Sequence, residues 1–540
     1  MNQNIAQENF DILIRGGSVF DGTGSDAEQY DIGIRNDRII AVGDLRTSHG
    51  NHEIDADGLR VAPGFIDIHT HSDISVTYDP DQASAIGMGV TTQVTGNCSL
   101  SFGFVNESPV FEFEQRWLAP HKAKINWDSF DGFLKQIEER GVSTNFIPLA
   151  GNGSLRKRVV GMEDRAATPS EMQEMRALLE EAMQAGVWGL SSGLEYTPSS
   201  YATVAELADL CKVVAKYGGF YATHLRNEGD MLVEAVQEAI DVVELAGLPL
   251  QLSHHKAEGQ HNWGKIKTTL AMVDAARSRG IDVQLDQYPY TAFMTSLAVQ
   301  ILPPWARSGT SEETSIRLVD LEQRAAIRRE ILDSHPEWAD ISAFSPWVGI
   351  QIGVCRGRHE IQGRNIAELA HEAGVSPIDF VLDLLVQTKG YVSAVNFAIG
   401  EVDIAEVMRH PWTSIGSDGV GTHPGGPASE DKIHPRAYGT FPRVLGRYVR
   451  ELGVITEAQA IHKMTGLPAA RMGLADRGKI APGCFADLTI YDPKTVGDLA
   501  TFDEPHQFAT GISTVLVNGR VALDHAGPNT ARAGRVLRHR

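Results

Sequence analysis

Eight short apolar runs punctuate the middle of the chain, at 61–71, 91–98, 145–151, 186–196, 219–226, 248–256, 281–290 and 413–419. Helical patterns separate most of them, among them 169–185, 204–217 and 231–246. Alternating strand and helix predict parallel strands joined by helical crossovers, and eight is the count of a (β/α)8 TIM barrel. A doubly wound sheet alternates in the same way, so the pattern by itself leaves both architectures open.

The two ends read differently. Segments 11–22 and 30–43 alternate in the manner of short strands, as do 484–492 and 513–523, the last broken by the hairpin pair Asn518-Gly519. Two β-rich ends around an α/β middle predict one small β domain from both termini, 1–61 with 475–540, flanking a barrel over 62–474. The seventh and eighth strands are far apart. The intervening 292–391 carries Pro303-Pro304 and helical runs at 315–333 and 365–385, as expected of an insertion that serves as a lid.

With 540 residues the chain exceeds the usual single-domain range. Its formal charge of −21 would repel phosphate backbones and anionic membranes, so nucleic acid and membrane are not expected partners. No apolar run approaches the roughly 20 residues of a membrane helix, and the start lacks the pattern of a signal peptide. The four cysteines (Cys98, Cys211, Cys355, Cys484) form no CxxC pair, which fits a reducing cytoplasm.

Polar residues gather at the C-terminal ends of the strand candidates, the barrel face where sites are built. The first run ends in His69-Thr70-His71, and the period of two along a strand sends both imidazoles the same way. Asn97-Cys98 ends the second, His224 lies in the fifth, His254-His255-Lys256 end the sixth and Asp418 the eighth. Taken singly, a strand-end histidine, a buried cysteine or a turn aspartate is ordinary. On one barrel mouth they make a metal site, because imidazole and thiolate are zinc donors and a nearby carboxylate acts on water. His261, His359, His410, His423 and His434 lie in loop-like sequence and are expected at the surface.

These features resemble the amidohydrolase superfamily, and within it the N-acyl-D-amino-acid deacylase (D-aminoacylase) family. The resemblance runs nearly the whole chain, through DILIRGGSVFDGTG, APGFIDIHTHSD, TTQVTGNCSLSFGFV, GVWGLSSGLEYTP, YATHLRNEGD, SHHK, DQYPYTA, SDG, HPRAYGTFPR and GKIAPGCFADLTIYDP. It implies a (β/α)8 barrel with a small β-sandwich from both ends and a lid. It also implies one tightly held zinc on Cys98, His224 and His254, with His69 and His71 at a weaker neighbouring site. Where many relatives have a carboxylated lysine bridging two metals, this chain offers Glu195. Asp73, past the strand end, is expected either to support the site or to be structural, and His255 to face the opposite side of its strand.

The implied chemistry is hydrolysis of the amide of an N-acyl-D-amino acid, a small-molecule substrate. Asp418 would act as general base and then acid, and Tyr196 would hydrogen-bond the developing oxyanion. Lys256, Tyr288 and Arg436 would hold the free α-carboxylate. No Arg or Lys falls between Thr291 and Ala306, which favours a neutral or hydrophobic side chain. Asn152 stands where many members have histidine. The rivals are a hydantoinase- or dihydroorotase-like hydrolase of cyclic amides, a dipeptidase, and, less favoured because the ligand set is retained, a non-catalytic scaffold.

Overall fold

The structure is a computed structural model, and it describes residues 9–333 and 346–540. Residues 1–8 of the expected β domain and 334–345 of the expected insertion lie outside the described residues.

The middle of the chain forms parallel strands in sequence order. Phe65–Asp67, Val90–Thr95 and Asn145–Pro148 make a three-stranded sheet. After Leu149, whose amide bonds Thr95 O, the chain enters a six-stranded parallel sheet. Its strands are Ala150–Gly151, Gly189–Gly193, Phe220–His224, Leu250–Leu252, Val283–Gln287 and Thr413–Ile415. Beyond that last strand, Asp418 N donates to His69 O and His71 N to Gly419 O, each at 2.8 Å. The ends of the first and last strands are therefore tied directly to each other.

Every expected run contains a strand, and in most of them the strand is shorter because the polar end of the run leaves the ladder for a loop. The run 61–71 departs furthest. It splits into Arg60–Pro63, which pairs antiparallel with Leu488–Tyr491, and Phe65–Asp67 of the parallel set. Gly64 separates them with its Cα so close to Thr91 that an added Cβ would meet Thr91 Oγ1 at 2.2 Å.

The helices between strands start and bury as their sequences dictate. Thr168 and Glu171 cap Pro169–Gln184 reciprocally, Pro169 takes the position where its missing N–H costs nothing, and Met175, Leu179, Ala182 and Met183 face the core. Thr203 caps Val204–Lys216, and Gly247 ends Leu232–Ala246 at φ 74°. Two runs expected as single helices are pairs. Asp320 ends Ser311–Val319 and caps Leu321–Leu332, while Gly374 and the capped Ser376-Pro377 step separate Ile366–Ala373 from Pro377–Thr388. Two strands of the insertion, Phe293–Ser296 and Ile350–Ile352, flank Ser393–Asn396, just past its expected end, in an antiparallel sheet.

Both ends of the chain share one nine-stranded sheet, joined where Arg60–Pro63 meets Leu488–Tyr491. Asn518 and Gly519 both take positive φ between Ile512–Val517 and Arg520–Asp524, as a two-residue hairpin requires. The last residues then cross beneath the parallel strands. Phe146 N donates to Arg535 O at 2.9 Å, Leu537 N to Phe146 O at 2.8 Å, and His539 N to Gly186 O at 2.8 Å.

Candidate active site

His224 ends its strand, and His69, His71, Cys98, His254 and Asp418 follow the ends of theirs. Cys98, His254 and Asp418 have φ of 50°, 33° and 51°, in the left-handed region that costs a non-glycine residue about 1–3 kcal/mol. Close packing holds this strain. Gly193, for example, lies so near Cys98 that an added Cβ would stand 2.5 Å from its carbonyl oxygen.

The ligand atoms fall into two groups that share Cys98. Those of His69, His71, Cys98 and Asp418 lie within 4.8 Å of one another, and so do those of Cys98, His224 and His254. Cys98 Sγ is 3.3 Å from His69 Nε2 and 3.4 Å from His254 Nε2, while His224 Nδ1 is 3.0 Å from His254 Nε2. Burial opposes ionisation of the Cys98 thiol, but His69 and His254 outweigh it and hold the group well below the usual thiol range. The cysteine is thus poised as the thiolate, the form that binds metal.

Each of three imidazoles has a carboxylate on its outer nitrogen. Asp286 Oδ1 is 3.1 Å from His69 Nδ1, Glu195 Oε2 is 3.2 Å from His224 Nε2, and Glu228 Oε1 is 3.2 Å from His254 Nδ1. At His69 the Asp286 carboxylate can take the ring N–H and leave the other nitrogen facing the cluster, while Glu195 and Glu228 stand at ion-pair distance from His224 and His254. His254 Nδ1 also has Lys256 Nζ at 3.0 Å, which would impose the opposite tautomer. Only the Glu228 arrangement leaves Nε2 free as a ligand. A thiolate beside imidazoles that give up their protons on binding a metal is a donor set that fits zinc. Glu195 therefore lies outside the ring nitrogens, at ion-pair distance from His224, and not between two groups of ligands.

Asp418 Oδ1 is 3.0 Å from His71 Nε2, and its Oδ2 is 2.7 Å from Arg436 Nη1. Burial raises the pKa of this carboxyl, but Arg436, His254 and His71 together hold it well below the usual range. Tyr196 lies edge-on to His224 with ring centroids 4.8 Å apart, and its oxygen accepts from Thr295 Oγ1 at 3.1 Å. Burial first, and then Cys98 and Glu195, push its phenol well above the ordinary range, so it stays protonated. The Tyr288 hydroxyl is buried without a hydrogen-bond partner among the described residues, and two cations flank its ring. Arg436 lies 4.9 Å and Lys256 5.9 Å from the ring centroid. Lys256 is itself ion-paired with Glu228.

The amidohydrolase family signature matches residues 52–523. The chain belongs to the amidohydrolase family. It is 36% identical over 538 residues to a D-aminoacylase of Alcaligenes xylosoxydans xylosoxydans, covering 99% of each protein. An N-acyl-D-aspartate deacylase of the same organism is 35% identical over 528 residues, covering 98% of this chain and 95% of that one. Among solved structures, the N-acyl-D-glutamate deacylase of Bordetella bronchiseptica, complexed with zinc and a phosphonate inhibitor, superposes with a TM-score of 0.81 at 33% identity. That match covers 98% of this chain and all of the other. The expected resemblance to N-acyl-D-amino-acid deacylases is thereby established.

This amidohydrolase brings together all ten residues singled out from sequence: His69, His71, Cys98, Tyr196, His224, His254, Lys256, Tyr288, Asp418 and Arg436. His255 faces away as expected, its Nε2 2.8 Å from Thr269 Oγ1 on the helix Ile266–Ser278. Asp73 is buried and accepts from Phe102 N at 3.3 Å. Asn152 is buried too, accepting from Ser199 Oγ at 2.8 Å. Two histidines expected at the surface are buried instead. His410 is 3.1 Å from Asp274 Oδ1, and His434 Nε2 donates to Ala292 O at 2.9 Å while its Nδ1 accepts from Arg436 N. Segments remote in sequence cover both. Sequence reasoning missed Glu228, Asp286 and Thr295. Glu228 stands four residues after His224, a spacing that could have drawn notice.

Proposed function

We propose that this amidohydrolase cleaves the amide bond of N-acyl-D-amino acids, releasing a carboxylate and the free D-amino acid. The observation that carries the reading is the gathering of Cys98, His224, His254 and Asp418 within reach of Tyr288 and its flanking cations. Relatives that act on N-acyl-D-amino acids match the chain from end to end, and they supply the D preference of the proposal.

One zinc would be held by Cys98, His224 and His254, with His69 and His71 forming a weaker site beside Cys98. Bound there, zinc supplies Lewis acidity to the scissile carbonyl or to the attacking water. Asp418, kept ionised by its neighbours, takes the proton of the water and passes it to the departing amine. Tyr196 donates a hydrogen bond to the carbonyl oxygen as it turns negative. Tyr288, Arg436 and Lys256 receive the α-carboxylate. Arg436 brings a planar fork matched to that group, Tyr288 an unspent hydroxyl, and Lys256 a positive charge beside the Tyr288 ring.

With Asn145–Pro148 and Ala150–Gly151 taken together as one interrupted strand, the parallel strands make eight, and we infer a closed (β/α)8 barrel over 62–474. Their sequential pairing and the hydrogen bonds between His69–His71 and Asp418–Gly419 support closure. The terminal sheet is read as the small β-sandwich domain of 1–61 and 475–540, and 292–391 as the lid. A neutral or hydrophobic side chain is proposed, because the first basic residue after the YPY segment, Arg307, spends Nη1 on Glu195 O at 2.9 Å. Four free, buried cysteines fit a cytoplasmic setting. Among the described residues no helix is long and apolar enough to cross a membrane.

The test is amine release by zinc-loaded protein from paired D- and L-enantiomers of N-acetyl and longer N-acyl amino acids, with cyclic amides alongside. Turnover of linear D-substrates is expected. Preference for L-enantiomers or rings would overturn the substrate assignment.

A further inference from the structure

The strand Phe293–Ser296 opens the insertion and touches both flanks of the site. Thr295 Oγ1 donates to Tyr196 Oη at 3.1 Å, and the adjacent Met294 carbonyl accepts from Arg436 Nη2 at 3.4 Å. Its position is well fixed. Met294 and Thr295 pair with Val395 and Ala394, and Gln300 Nε2 clamps the edge by donating to Thr295 O at 3.2 Å and to Ala394 O at 2.9 Å.

The direction of the Thr295 hydrogen bond has a chemical consequence. A phenol carries one proton, which prefers the ring plane and so has two favoured directions. A hydroxyl donating to Oη from one side leaves the phenol proton the other. Loss of that donor would free the rotor, and the proton would have to be ordered during the reaction.

We propose that Thr295 is a positioning residue: by donating to Tyr196 Oη it orients the phenol so that its proton meets the carbonyl oxygen that becomes negative as the amide is cleaved. The proposal rests on the reading of Tyr196 as the oxyanion donor. It gives the insertion a part in catalysis, because the strand that aligns Tyr196 also sets the distance from it to the carboxylate grip at Arg436.

A double-mutant cycle tests it on full-length, zinc-loaded protein, with Thr295→Val, Thr295→Ser, Tyr196→Phe and the Thr295→Val/Tyr196→Phe pair. The substrate is N-acetyl-D-leucine or the best member of the panel above. Thr295→Val is expected to lower kcat about 3- to 10-fold, the worth of one hydrogen bond, with KM and zinc content unchanged. Thr295→Ser should restore most of the loss, and Thr295→Val should add little once Tyr196 is phenylalanine. If Thr295→Val costs as much in the Tyr196→Phe background as in the wild type, or serine fails to rescue, the residue is merely structural and the proposal is overturned alone. Full activity in Tyr196→Phe would overturn the oxyanion reading and this proposal with it. Should Thr295→Val fail to fold, Thr295→Ala takes its place in the same cycle with the same outcomes.

Discussion

Arg436 Nη1 stands 2.7 Å from Asp418 Oδ2, so the proposed carboxylate grip and the proposed proton carrier form a buried ion pair. A guanidinium has five N–H donors and can serve two carboxylates at once. Substrate binding then places a second anion on Arg436 beside the first. Arg436→Met is expected to lower kcat/KM for free N-acyl amino acids by about 30-fold or more, the cost of truncating a buried charge pair. The methyl esters of the same substrates should lose far less, and comparing acid with ester in steady-state assays checks this.

The same pair governs the response to pH. Burial alone would raise the Asp418 pKa, and Arg436 is the largest influence opposing it. Removing Arg436 lets burial act, so the carboxyl holds its proton to higher pH and the basic form is lost earlier on acidification. The acidic limb of kcat/KM should therefore move to higher pH in Arg436→Met, measured on an ester substrate so that binding of the α-carboxylate does not intrude.

Asp418→Asn removes the proton carrier while leaving Cys98, His224 and His254 intact. We expect kcat to fall about 100- to 10,000-fold with the zinc content near that of the wild type, read by metal analysis of the purified variant.

Glu228→Gln removes the charge that stands beside His254 and pairs with Lys256. Zinc affinity should fall about 10- to 100-fold, as competition with a chelator would show. The variant should also melt earlier, because buried Lys256 then keeps only Glu258, 3.8 Å away, as its counter-charge.

His255 gives a pH-dependent stability term away from the reacting atoms. Burial lowers its pKa from the ordinary 6.5 to about 4. The unfolded chain binds a proton there between those values and the folded chain does not. The stability held above pH 6.5 is therefore lost progressively as pH falls toward 4, by about 3 kcal/mol in all. Urea midpoints at pH 5 and 7.5 should differ less in His255→Gln than in the wild type.

The positions of the strands and their polar ends were legible in the sequence, because most expected runs have apolar or β-branched residues ahead of a chemistry-bearing residue at or just past the strand end. The splits were not. Gly64 reads as one glycine in a continuous apolar run, and only the approach of Thr91 reveals the break. Glu228 sits among Asn227, Gly229 and Asp230, where a carboxylate looks like a solvated loop residue. Its burial comes from Lys256 and His254 on the next strand. His434 likewise owes its burial to the Ala292 carbonyl and the rings of Tyr288 and Tyr290, contacts that no local pattern encodes. The ligands could be read because donor chemistry is intrinsic to residue type. The groups that orient them could not, since their roles exist only after folding.

Pro63 lies opposite Leu488 in the terminal sheet. On a growing chain, Arg60–Pro63 must wait for nearly the entire barrel to be synthesised before its antiparallel partner emerges. Until then its outer edge is an unpaired template for other strands, and the sheet cannot be completed. Pairing at such separation in sequence is slow to form, so a late docking step at this seam should limit refolding. Conditions that delay it would favour association between nascent chains over the native sheet.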